Sequence, residues 1–197
     1  MKNRVITISR EFGSGGRTIG KKVAEKLGIP CYDAEIIEKM AKETGFAPDY
    51  VKEAGEYAPG SFLSSAFSNR MFGPTNEDIL WEHQYKVITD LAAKSPCVIV
   101  GRCADYVLRD ADVRLLRVFV SAPEEQRIAR KMEQEHLTQP QAVRLLRKMD
   151  KQRRKYYETY THHVWGDSTN YDLCIDTSTC TLDEAAARIA DRFRAMA

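Results

Sequence analysis

The sequence predicts an α/β fold, with a five-stranded parallel sheet covered by helices on both faces. Three observations predict it. Short β-branched apolar runs alternate with segments of helical period along the 197 residues. The runs are continuous rather than alternating, which suits strands buried on both faces. A glycine-rich turn joins the first strand to the first helix, and repeated strand–helix units argue for parallel pairing.

The elements follow in order. Val5-Ile-Thr-Ile8 is the first strand, and Thr18 to Leu27 is a helix through Ile19, Val23 and Leu27, ended by Gly28. Ile29 to Tyr32 is a second strand, and Ala34 to Thr44 is a helix through Ile36, Ile37, Met40 and Ala41. Residues 45–78 are rich in glycine and proline but also carry Phe62, Phe67 and Phe72, which marks an insertion of short helices and loops rather than a linker. Asp78 to Ala93 is a helix, Cys97-Val-Ile-Val100 a doubly buried strand, and Cys103 to Leu108 a short helix. Leu115 to Val120 is another strand, and Pro123 opens a helix to about Glu135. Gln139 to about Tyr160 is a long helix, Leu173-Cys-Ile175 a last strand, and Leu182 to Met196 a final helix capped near Thr181 or Asp183. The whole reads as a single domain, 1–197, with no internal repeat.

Composition excludes several classes. Hydrophobic residues are 43% and charged residues 29%, enough for a sizeable core under a charged surface. Thirty basic against 28 acidic groups give a net charge of +2, which argues against a dedicated nucleic-acid binder. No apolar run approaches the ~18 residues of a membrane span, and the N-terminal run is too short for a signal-peptide core, so a cytoplasmic location is expected. The five cysteines form no CxxC pair; Cys31, Cys97 and Cys174 read as buried free thiols. His162-His163 point about 100° apart on a helix and make a poor metal clamp.

The chemistry concentrates in the first turn. Gly13, Gly15 and Gly16 lie between strand and helix, where missing Cβ atoms let N–H groups face a ligand and the helix start adds positive partial charge. The product is an anion site spanning Arg10, Gly13, Ser14, Gly15, Gly16, Arg17 and Thr18, with the Thr18 hydroxyl placed to meet a magnesium ion. The pattern G-x-x-x-x-G-K-[ST] is not met. With Thr18 as the final hydroxyl, Arg17 stands at the lysine position; with the register taken from Ile6-Thr-Ile8, Gly16 does. Arg10, Arg17 or Lys21 could then supply the cation, and Arg17 is the first choice. Arg17→Ala would lower turnover by roughly 100-fold on that choice.

The chain resembles the cytidylate kinase-like family. The resemblance rests on Ile6-Thr-Ile-Ser-Arg-Glu-Phe-Gly-Ser-Gly-Gly-Arg17, Tyr32-Asp-Ala-Glu-Ile-Ile37, Val98-Ile-Val-Gly-Arg-Cys-Ala-Asp-Tyr106, the arginine-rich stretch from Arg127 to Arg154, and Tyr171 to Ser178. It implies a P-loop NTPase three-layer sandwich with a helical lid at about 127–160 and a small acceptor-binding insertion. It implies ATP as donor, Mg2+ as cofactor, and CMP or dCMP as the first-choice acceptor. Kinases of another small metabolite and a non-catalytic nucleotide-binding regulator are the alternatives.

Within that frame Arg102 and Asp33, each ending a buried strand, and Asp105 are acceptor-side candidates, because ligands of open α/β sheets bind outside the carboxyl ends of the strands. Arg127, Arg130 and Arg153 look like lid arginines that would join Arg17 as catalytic cations over the transferring phosphate, with Asp150 orienting one of them. Tyr156, Tyr157 and Tyr160 are expected to pack the long helix.

Overall fold

The computed structural model describes residues 2–54 and 75–196. The central sheet is parallel, in the order β2-β3-β1-β4-β5. Its strands are β1 (Asn3–Arg10), β2 (Cys31–Tyr32), β3 (Cys97–Val100), β4 (Val113–Ser121) and β5 (Leu173–Asp176). The helices are α1 (Gly16–Leu27), α2 (Ala34–Thr44), α3 (Pro48–Ala54), α4 (Asn76–Lys94), α5 (Ala104–Val107), α6 (Glu124–Glu135), α7 (Gln139–Thr161) and α8 (Leu182–Arg194). A 3-10 turn at Ser168–Asn170 leads into β5.

The apolar runs feed two cores because successive strand side chains point to opposite faces. Ile6 and Ile8 of β1, with Val98 and Val100 of β3, face Ile19 and Val23 of α1 and Ile189 of α8. Val5, Cys97 and Ile99 face the other way, onto Ile36 and Met40 of α2 and Val87 and Ile88 of α4. A third cluster joins α6 to α7 through Ile128, Ala142 and Leu146, with Phe12 of the glycine turn packed on it.

Element ends obey local chemistry. Thr75, Thr138 and Thr181 each form a capping box at a helix start, and Gly28 and Gly45 close α1 and α2 in the left-handed region. The reading of three buried thiols needs correction: Cys97 is buried, but Cys31 is only half-buried and Cys174 is exposed, because β5 is an edge strand and its second residue faces outward. α3 is a short helix of the kind expected in the stretch from residue 45. Most of the expected insertion at 45–78, including Phe62, Phe67 and Phe72, lies outside the described residues.

No helix among the described residues is long and apolar enough to cross a membrane. Among the same residues no group of three His, Cys, Asp or Glu side chains could hold a metal ion.

Candidate active site

The carboxyl ends of β1, β3 and β4 meet around residues 10–18. Gly13 and Gly15 take φ of 81° and 90°, left-handed values that a side chain would strain. Gly15 caps α1 with no side-chain acceptor, so the helix start offers its dipole and amides outward.

The turn is gripped from below. Asp150 Oδ1 accepts from the Phe12 amide at 2.7 Å, and Arg127 Nη1 donates to Phe12 O at 3.1 Å. Thr177 Oγ1 donates to Ser14 O at 2.9 Å, and Arg130 Nη1 to Gly13 O at 2.6 Å. Glu11 accepts from the Ala122 amide at 3.1 Å. Burial pushes the Glu11 carboxyl above its usual range, with the Ala122 bond and Arg127 offsetting only part of that.

Arg127 is the hub. Its Nε donates to Ala122 O at 2.9 Å, its Nη1 reaches Asp150 Oδ2 at 2.5 Å, and Glu11 lies 3.4 Å from its Nε. Its side chain is 8% exposed. The structure therefore sets Arg127 beneath the turn instead of over it, with Asp150 as its partner.

Above the turn opens a cleft. Arg10, Arg17, Arg130, Lys131 and Arg153 line it, together with Thr18. Arg17 is exposed, and its Nε donates to Asp33 Oδ2, which joins a residue expected on the donor side to one expected on the acceptor side. Lys21 lines a neighbouring recess with Arg17, Asp33 and Glu35.

Arg10 and Arg153 also line a second, half-enclosed pocket, together with Ser9, Arg102, Tyr157 and Trp165. Gly101, Arg102 and Cys103 all have positive φ, at 75°, 60° and 51°. Two consecutive left-handed residues with side chains cost of order 1–3 kcal/mol each, a strain typical of ligand sites. Arg102 is 4% exposed, and its Nη1 is buried with no hydrogen-bond partner among the described residues. An unmatched guanidinium donor there makes the pocket a candidate anion site.

Asp105 sits one shell deeper, accepting from Tyr157 Oη at 2.8 Å and from Ser9 Oγ at 3.4 Å. Burial raises its pKa, against the bonds from Tyr157, the backbone and Ser9. It supports the pocket wall through Ser9 and Tyr157. Tyr156 and Tyr157 are buried as expected of packing residues, yet both line the pocket. Tyr160 stacks on Trp81 at 4.4 Å.

Sequence reasoning missed Ser9, Glu11, Lys131, Gln84 and Trp165. Gln84 Nε2 donates to Arg102 O at 3.0 Å and to Tyr156 Oη at 3.1 Å, fixing the strained turn. A polar residue in the apolar period of α4 was the available signal.

The residues fit a nucleotide's phosphates and a metal carried by them. A cation-lined cleft at a helix start suits polyphosphate, and Thr18 on its wall offers a hard hydroxyl oxygen of the kind magnesium takes beside phosphate oxygens and water.

The cytidylate kinase-like family matches residues 5–179. The cytidylate kinase of Pyrococcus furiosus is 30% identical over 175 residues, 88% of this chain and 80% of that protein. The crystal structure of an uncharacterized protein from Eubacterium ventriosum superposes with a TM-score of 0.75 at 28% identity, over 98% of this chain and 99% of that one. Shikimate kinase from Acinetobacter baumannii in complex with shikimate shares the fold, at TM-score 0.53 and 16% identity over 98% and 93% of the two chains. The chain thus belongs to the cytidylate kinase-like family, with the sheet and helix layers of a P-loop kinase.

Proposed function

We propose that the protein is a phosphotransferase that moves the γ-phosphoryl group of ATP to a nucleoside monophosphate, with CMP or dCMP as the preferred acceptor. The observation that carries this reading is a shared pair of arginines. The glycine-turn cleft and the Arg102 pocket share Arg10 and Arg153, so a donor polyphosphate and an acceptor phosphate would meet between the same two guanidinium groups. The likeness to cytidylate kinases supports the choice of acceptor.

Phosphoryl transfer asks a protein mainly for positioning and dispersed positive charge. The start of α1 receives the donor's phosphates, with Arg17, Arg130 and Lys131 around them, and the Thr18 hydroxyl would help hold the magnesium that comes with ATP. Arg102 holds the acceptor phosphate so that its oxygen faces the γ-phosphorus. Magnesium, bound with ATP, neutralises charge on the phosphates. Arg10 and Arg153 take up the charge that spreads over the transferring group. The acceptor O–P bond forms as the bond to the leaving ADP breaks, giving ADP and a nucleoside diphosphate.

Incubation with ATP, magnesium and each monophosphate should release ADP fastest with CMP or dCMP. No ADP release above the acceptor-free background with any of the nucleoside monophosphates would refute the reading.

A further inference from the structure

Two departures from the G-x-x-x-x-G-K pattern touch each other in space. In the register set by β1, Arg10 stands where the pattern has its first glycine, Gly15 matches the second, and Gly16 stands where it has lysine. Arg10 closes β1, and Gly16 opens α1. A Cβ added at Gly16 would lie 2.6 Å from the Arg10 Cβ and 3.0 Å from its Cγ, so the arginine stem covers that position. Its guanidinium continues onto Gly101 at the end of β3, where a Cβ would fall inside it. Arg10 is 8% exposed and lines both the cleft and the pocket.

From these contacts we infer that Arg10 and Gly16 are a reciprocal exchange: the cation the pattern places at the start of the helix comes here from the end of the first strand. Gly16 and Gly101 leave the volume that Arg10 occupies. The exchange moves the charge toward the acceptor side, since the Arg10 head lies over Gly101, next to Arg102. A planar guanidinium with five fixed donors can contact a donor and an acceptor oxygen together, which a single ammonium on a flexible stem does less well. The catalytic half of this inference rests on the kinase reading; the steric half does not.

Two measurements test it. The first is thermal denaturation of Gly16→Ala, made alone and in an Arg10→Gly background. The added methyl should lower Tm in the parent and have little effect once Arg10 is gone; equal effects in both backgrounds would overturn the exchange. The second is ATP binding by calorimetry and ADP release for Arg10→Gly and Arg10→Gly/Gly16→Lys. Arg10→Gly should weaken ATP binding about tenfold or more, the worth of a charge-assisted contact, and the added lysine should recover most of it. A double variant no better than Arg10→Gly would overturn the assignment. Should the parent bind ATP with these couplings but phosphorylate no nucleotide, the kinase reading falls and the Arg10 assignment stands. Should the parent turn over while Arg10→Gly keeps its rate and affinity, the assignment alone falls.

Discussion

Arg127→Ala separates two roles that the sequence leaves alike: an arginine over the phosphates and an arginine under the loop. The change removes donors to Ala122 O at 2.9 Å and Phe12 O at 3.1 Å. It also strips Asp150, at 2.5 Å, of its cation and leaves Glu11, at 3.4 Å, without one. Breaking a buried ion pair by deleting one partner costs about 3–5 kcal/mol, because the other charge stays desolvated. The side chain's 8% exposure calls for no discount for solvent screening. For a domain of this size 1 kcal/mol moves Tm by about 2–4 °C, so the expected loss is about 6–20 °C. Thermal denaturation followed by circular dichroism reads it directly. Arg127→Lys keeps the charge but not the fork, and should fall between the parent and Arg127→Ala. Asp150→Asn should lose less than Arg127→Ala, since the amide oxygen can still accept from the Phe12 amide, 2.7 Å away. An Arg127→Ala protein with unchanged Tm and collapsed turnover would refute the reasoning and return Arg127 to the phosphates.

Other expectations follow from the same geometry. Arg102→Ala should raise KM for the acceptor monophosphate by about 10- to 100-fold and leave KM for ATP near the parent value, because only the acceptor socket is emptied; steady-state kinetics with each substrate varied in turn decides it. Arg17→Ala should lower turnover by less than about tenfold, since Arg17 is exposed and paired with Asp33; a loss near 100-fold would restore Arg17 to the lysine's role. Asp105 has a pKa raised by burial above its ordinary 3.8, so the folded protein holds that proton more tightly than the unfolded chain does. Its charge therefore costs stability above the raised pKa, and the cost fades as pH falls toward 3.8. The Tm of the parent relative to Asp105→Asn should accordingly rise on acidification from pH 8 to pH 4; a difference that falls instead would contradict the burial argument.

The elements were legible because burial leaves a pattern in neighbouring residues. Cys97 to Val100 could be read as a strand buried on both faces, and β3 sends Cys97 and Ile99 to one core and Val98 and Val100 to the other. The grip on the glycine turn leaves no such pattern. Arg127 meets Phe12 across 115 positions and Asp150 across 23, through single side chains that fix no period. In a stretch as basic as 127–155, Arg127 is indistinguishable from its neighbours until packing buries it. The pairing of Arg17 with Asp33 was hidden for a similar reason, because it depends on where α1 lies against β2.

The choice between Arg10 and Arg17 is different, since the sequence held a signal that nearness along the chain obscured. Arg17 adjoins the lysine position, but adjacent helical residues point about 100° apart, and a neighbour in sequence need not share a direction. Strand parity is the better guide. Ile6, Ile8 and Arg10 fall on one face of β1, and the two isoleucines pack in the core that Ile19 and Val23 of α1 share. Arg10 therefore points toward α1 and passes over its first residue, which can only be small: a Cβ at Gly16 would stand 2.6 Å from the Arg10 Cβ. Ser9, of opposite parity, turns the other way and meets Asp105 at 3.4 Å. The same two-residue period that builds the sheet thus decides which cation reaches over the glycine turn, and the missing lysine and the extra arginine become one feature.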